Sequence, residues 1–335
     1  MELYLDSADL EEIKEAFGLG FIKGLTTTPT FMHRHGVTDI DGLIVELSKI
    51  VPILQIEALG DTAEEILAEA ERQLALGLDI DKTVFKIPVS LEGVKACKML
   101  KDKGFKVNVH LVYTLQQAYM AMEAGADYVC PLVGRLQDQG TDALDLVAQC
   151  VDAVETYGYD SKIMFSSVRY PEHIRNAINI GVHVCTVPWK VMKQLTSNHF
   201  TEVGISQFVE HTKLMTVKVK DVLSGKNPMV NMGDSVTDAL VKMTASGFGC
   251  VAVMGNNGKL AGTFTDGDLR RLVEADGESA VSKKMSDLSF NSPITIQGEE
   301  LLHAASVIFH ERGVDNLIVL NGEEVVGQID IQDLK

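Results

Sequence analysis

The chain has 335 residues and carries 30 Lys+Arg against 47 Asp+Glu, a formal net charge of −17. That length suits about two domains of ~150 residues. The acidity, spread along the chain, excludes the basic face that nucleic acid or an anionic membrane surface requires. No apolar run reaches the ~18 residues of a membrane span. The start, MELYLDSADLEEI, has no signal-peptide character. The five cysteines include no CxxC pair, which argues against a disulfide framework. A reduced, cytoplasmic protein is expected.

In chain order, short apolar runs occur at 2–5 (ELYL), 21–25 (FIKGL), 51–56 (VPILQI), 83–87 (TVFKI), 107–112 (VNVHLV), 128–133 (YVCPLV), 162–165 (KIMF) and 182–187 (VHVCTV). Most are separated by segments of helical spacing, such as Ala63 to Ala75 and Glu92 to Lys103. Strands alternating with helices imply βαβ units around a parallel sheet. The count predicts a closed (β/α)8 TIM barrel with its active site at the C-terminal strand ends. An open doubly wound sheet would call for a Gly-rich phosphate loop after the first strand, and LDSAD is not one. One more helix is expected over Phe200 to Met215. Residues 216–335 then repeat internally, with Pro228 and Pro293, Gly233 and Gly298, Gly262 and Gly327, and Asp268 and Asp333 each 65 apart. The expected division is a barrel over 1–215 and an α+β pair over 216–335, with copies at about 216–278 and 279–335.

Lys86 stands out chemically, because an ammonium between Val84, Phe85, Ile87 and Pro88 belongs to a buried strand. Burial disfavours the charged form, which is expected to lower its pKa and free an amine for attack on a carbonyl. A paired structural lysine is the alternative. Asp6 ends the first strand and Glu57 the third, so both point to the same barrel mouth and suit acid/base work. Asp6 has an alternative as the cap of the following helix. Arg135 follows the sixth strand, and Ser167 and Arg169 the seventh, where cations, a hydroxyl and loop amides suit a phosphate. His33 and His35 lack a third ligand at a recognisable spacing, so no metal is expected.

The segments MELYLDSADLEEIKEA, GLTTTPTF, FKIPVSLEGVKACKML, VNVHLVYT, AGADYVCPLVGRL and FSSVRYPEHI resemble the small transaldolases and fructose-6-phosphate aldolases. The resemblance implies a (β/α)8 barrel without a catalytic cofactor, in which Lys86 forms a Schiff base with a ketose phosphate. It implies that Asp6 is the acid/base of carbon–carbon cleavage, Asn108 a substrate-binding residue, and Arg135 and Ser167 the phosphate site. Glu57 falls where transaldolases keep a glutamate acting on the carbinolamine through a water. Three positions depart from the pattern. Thr28 replaces an asparagine that contacts the donor, His110 stands where a water-holding threonine is expected, and Leu132 replaces an aromatic residue. Thr28 argues against an ordinary pentose-phosphate transaldolase and Leu132 against the aldolase branch.

Residues 216–335 resemble a tandem CBS module. GTFTDGDLRR carries Thr265 and Asp268, which in that family contact the phosphate and ribose of a nucleotide; the second copy has Asp330 in place of the threonine. The combined expectation is a Schiff-base enzyme that passes a dihydroxyacetone-type unit from a ketose phosphate to an aldehyde. A nucleotide, adenine or other, would regulate it in a homo-oligomer. The alternatives are an aldolase acting on an unusual sugar phosphate and a non-catalytic nucleotide-sensing scaffold.

Overall fold

The computed structural model describes residues 1–334 and divides into two compact units, Met1–Ser197 and a second beginning at Asn198. In the first, β1 (Glu2–Asp6), β2 (Gly24–Thr26), β3 (Leu54–Glu57), β4 (Thr83–Pro88), β5 (Lys106–Val112), β6 (Tyr128–Pro131), β7 (Lys162–Phe165) and β8 (Val184–Val187) close in sequence order into a parallel barrel. Helices cover its outside, and their starts are encoded locally. Thr62 and Glu65 form a reciprocal capping box ahead of Ala63–Leu74, and Ser90 accepts from Gly93 N at the head of Leu91–Asp102. Both satisfy amides that a helix start leaves unpaired.

Because strand side chains alternate, the residues two before the candidate site form the layer beneath it. Tyr4, Val84, Tyr128, Cys130, Met164 and Val184 pack as one buried cluster there. β2 begins later than the apolar run FIKGL predicts, at Gly24, and Phe21 lies outside it, 51% exposed. Gly24 is the register partner of Tyr4, and a Cβ on Gly24 would lie 2.4 Å from the tyrosine ring, so only glycine fits there.

β5 carries the other local device. Its pairing with β6 shifts register between Val109 and Val112, and Leu111 takes φ 59°, a left-handed conformation unusual for leucine. Such bulges re-aim side chains and recur beside active sites. This one lies at His110.

The second unit holds two three-stranded sheets. One contains β9 (Met229–Asn231), β10 (Cys250–Met254) and β11 (Leu260–Thr265), ordered β11-β10-β9; the other contains β12 (Thr295–Gln297), β13 (Asn316–Asn321) and β14 (Glu324–Asp330), ordered β12-β13-β14. Each copy buries its own core, and Ala252 packs with Ile318 and Val325 to join them. The helix His199–Thr216 groups with this unit: Lys213 donates to the Asp333 carbonyl at 3.0 Å and Leu214 packs on the second core. Among the described residues no helix is long and apolar enough to cross a membrane.

Candidate active site

Strand register brings the charged residues together. Glu57 is paired with Lys86 across β3 and β4, and Lys86 with Asn108 across β4 and β5. Lys86 Nζ lies 2.9 Å from Glu57 Oε1 and donates to the Thr27 carbonyl at 3.1 Å. His110 Nε2 lies 2.9 Å from Glu57 Oε2, so one carboxylate bridges an amine and an imidazole. The lysine and glutamate side chains are each 6% exposed and the histidine 12%.

In such a site desolvation and charge compete. Burial alone pushes Lys86 toward neutrality, as the sequence leads one to expect. The Glu57 and Asp6 carboxylates outweigh it, and the Lys86 pKa is raised rather than lowered. The expected resting free amine is therefore corrected to a resting ammonium. Burial likewise acts to raise Glu57, but Lys86 and His110 hold it down at about 2. His110 is lowered, chiefly by burial, and is neutral at pH 7.

Asp6 behaves in the opposite sense to Glu57. Burial raises its pKa against the opposing pull of Lys86 and Thr26. Thr26 Oγ1 lies 2.8 Å from Asp6 Oδ1 and 2.5 Å from Thr186 Oγ1, so a hydroxyl pair fixes the carboxyl group. Asp6 does not cap the following helix; Asp9 does, accepting from Glu11 N and Glu12 N. Two carboxylates flank one lysine with pKa values driven apart, a pattern that separates acid/base roles.

The corner formed by the ends of β6 and β7 holds the remaining residues. Leu132 bridges to Ser166 and is buried, and Val133 N donates to the Ser166 carbonyl. Ser167 adopts φ 58°. A Cβ on Gly134 would fall 2.2 Å from the Ser167 carbonyl oxygen and 2.8 Å from Arg169 Nε, so glycine permits this approach. Arg135 stands close enough to lower the His110 pKa and lies 3.4 Å from the Tyr113 hydroxyl. Arg169 is exposed and pairs with Asp138 at 2.5 Å. Thr28 Oγ1 accepts from Phe31 N, capping the helix Pro29–Arg34, and lines a cavity of about 320 Å³ that runs from Thr27 and Glu57 out to Asp41, Glu69 and Arg72 on the surrounding helices and is not lined by Lys86. The buried Cys130 thiol is pushed up to about 11 by burial.

Sequence reasoning missed Thr26, Thr186, Gly134 and Gln55. The signal for Gln55 was available, since it lies two residues before Glu57 and shares its inward face.

In the second unit, Thr265 N and Oγ1 both donate to Asp268 Oδ2, and Thr265 Oγ1 accepts from Asp268 N, forming a capping box. Arg271 pairs with Asp268 at 2.6 Å. In the second copy Asp330 N donates to Asp333 Oδ2, without a hydroxyl at the first position.

The family model for Transaldolase/Fructose-6-phosphate aldolase matches residues 3–232. The chain belongs to this family. A CBS domain model matches residues 219–275, the first copy of the repeat. A probable transaldolase 2 of Bacillus anthracis is 37% identical over 213 residues, 62% of this chain and 96% of that protein. A probable transaldolase of Thermoanaerobacter sp. (strain X514) is 38% identical over 221 residues, 65% of this chain and all of that protein. Among solved structures, a CBS domain protein from Pyrobaculum aerophilum complexed with AMP is 16% identical, matching 35% of this chain and 89% of that one with a TM-score of 0.32.

Proposed function

We propose that the barrel cleaves a ketose phosphate through a Schiff base on Lys86 and transfers a dihydroxyacetone-type unit to an aldehyde. The observation that carries this reading is the buried Lys86–Glu57–His110 chain, with Asp6 acting on the same lysine. A resting ammonium must lose a proton before it attacks. Glu57 takes that proton on Oε1, with neutral His110 beside its other oxygen, and the amine adds to the ketone carbonyl. The Glu57 carboxylic acid returns the proton as the carbinolamine hydroxyl leaves as water, so amine, ketone and that proton give an iminium ion and water. Asp6 then takes the proton of the substrate hydroxyl. The adjacent carbon–carbon bond breaks toward the iminium, giving an enamine and a free aldehyde. The raised Asp6 pKa suits holding that proton until the enamine attacks the acceptor aldehyde, when the new alkoxide takes it back. Hydrolysis of the second iminium frees the product ketose and Lys86.

Arg135, Ser167 and Arg169 hold the phosphate, with Asn108 on the donor unit and Thr28 and Leu132 shaping its pocket. Arg169 must exchange Asp138 for the phosphate. Thr265 and Asp268 bind a nucleotide effector, supported by the CBS match over this copy. The chain associates into a homo-oligomer, which would cover Phe200, Phe208 and Met215 on the helix His199–Thr216, now 81%, 72% and 68% exposed.

The test is borohydride reduction with a ketose phosphate, followed by mass analysis of the Lys86 peptide. The reduced donor mass on Lys86, absent from Lys86→Met, supports the reading. Labelling that persists on another lysine of the variant contradicts it.

A further inference from the structure

The side chains assigned above to the phosphate come from two separate segments. Arg135 stands on the helix Val133–Asp138, while Ser167 and Arg169 stand on the loop after β7. One tie between the segments is exposed, the Arg169–Asp138 ion pair, and it must open when Arg169 takes the phosphate. Another is buried. His173, on the helix Pro171–Ile180, is 0% exposed; its Nδ1 accepts from Arg169 N at 3.4 Å, and its Nε2 lies 2.7 Å from Gln137 Oε1. The Tyr170 hydroxyl donates to the same Gln137 oxygen at 3.3 Å.

The backbone fixes the hydrogen-bond roles in this chain. An amide N–H only donates, so His173 Nδ1 accepts, the ring proton sits on Nε2, and Gln137 must present its oxygen. Burial, and then the Arg169 charge, lower the His173 pKa and favour the neutral ring that this pattern needs. The Tyr170 and Phe165 rings lie 4.0 and 5.9 Å from the imidazole, centroid to centroid, and pack it in place. The loop needs such support, because Ser167 holds φ 58°, which a non-glycine residue keeps only where its surroundings over-determine it. Gly134 allows close approach to the Ser167 carbonyl, and His173 fixes the amide two residues on. His173 is the third residue of its helix, a position from which side chains reach back to the amides before the helix. A cap of that kind accounts for the bond to Arg169 N. It has no use for the second bond, to Gln137.

We propose that His173 is a positioning residue whose two ring nitrogens hold the segment of Arg135 and the segment of Ser167 and Arg169 at the spacing a phosphate monoester requires. The link persists after the Arg169–Asp138 pair has opened. This role rests on the phosphate assignment above and adds the residue that sets its geometry.

The test uses the full chain with fructose 6-phosphate and with fructose. The half-saturating concentration for the borohydride-trapped Lys86 adduct is measured for each sugar, and neither value depends on the fraction of protein folded. In His173→Asn the amide oxygen still serves Arg169 N, but the side chain stops short of Gln137. In His173→Gln the amide reaches Gln137, but Arg169 N loses its acceptor. Each variant should raise the ratio of the fructose 6-phosphate value to the fructose value by about 10-fold. Gln137→Leu should raise it too, and adding Gln137→Leu to His173→Asn should raise it little further, since both remove one bond. An unchanged ratio in either His173→Asn or Gln137→Leu makes His173 a helix cap only and overturns the proposal. Arg135→Met separates the underlying assignment: if it also leaves the ratio at the parent value, no phosphate is held at this corner, and both readings fall. No adduct on Lys86 of the parent with either sugar overturns the Schiff-base reading, and this inference with it.

Discussion

At the residue scale, the two carboxylates beside Lys86 have opposite effects on stability. The Asp6 pKa lies above the ordinary carboxylate value, so the folded protein binds its proton more tightly than the unfolded chain does. Stability from this group is therefore highest at low pH and falls as pH rises through the raised value. Above the raised value the ionised group is a cost. Glu57, held at about 2, is the reverse: its contribution is present above the ordinary value near 4.5 and is lost as pH falls toward 2. Asp6→Asn should therefore melt higher than the parent at pH 7, and Glu57→Gln lower, each by several degrees; ~1 kcal/mol moves Tm by roughly 2–4 °C at this size. Kinetically, Asp6→Asn should still form the trapped adduct but stall cleavage, whereas Glu57→Gln should slow adduct formation itself. Melting shifts of the same sign at pH 7 would contradict the assignment. Lys86, Asp6 and Glu57 were legible from sequence because a charge in an apolar run is unusual. The direction of the Lys86 shift was not, since it depends on two carboxylates brought in from other strands.

At the scale of elements, the barrel was readable from alternation alone, and the ranges expected for β4 and β7 are nearly those found. The start of β2 was not readable. It depends on pairing with β1, which sets Gly24 against Tyr4, residues that no local pattern links. The β5 bulge was hidden for a related reason: VNVHLV reads as an even strand, and only its register with β6 reveals the one extra residue beside His110. The corner at Gly134 offers a test of the phosphate assignment. Gly134→Ala must displace the Ser167 backbone, against which a new Cβ would fall at 2.2 Å. The KM for a ketose phosphate should rise by about 10-fold or more, consistent with the sensitivity of a positioned site to shifts of this size. Adduct formation with unphosphorylated dihydroxyacetone should change little. Equal effects on both would mean that this corner serves the barrel as a whole rather than the phosphate.

At the scale of the whole molecule, the chain joins a transaldolase-family barrel to a repeat whose first copy carries Thr265 where the second carries Asp330. A carboxylate at that point repels phosphate, so one nucleotide is expected per chain, held in the first copy. A thermal-shift series with adenine, cytidine and uridine nucleotides should find at least one that raises the melting temperature, by linkage to the folded module. The shift should vanish in Asp268→Ala and survive in Asp333→Ala. Loss of the shift in Asp333→Ala alone would assign the site to the second copy. Association has its own test: Phe208→Asp should lower the mass seen by light scattering if the helix His199–Thr216 lies between copies, and an unchanged mass would remove that surface from the account. The repeat was legible from its 65-residue spacing, whereas the pairing of Asp268 with Arg271 across one helical turn appeared only in three dimensions.

Whether Lys86 is the nucleophile is decided by intact-mass and peptide analysis after borohydride reduction with a ketose phosphate. One reduced donor unit per chain is expected, on the peptide containing Lys86, and none on Lys86→Met. A parent protein that remains unlabelled across a panel of ketose phosphates and dihydroxyacetone, or a Lys86→Met protein labelled to the same extent, would contradict it.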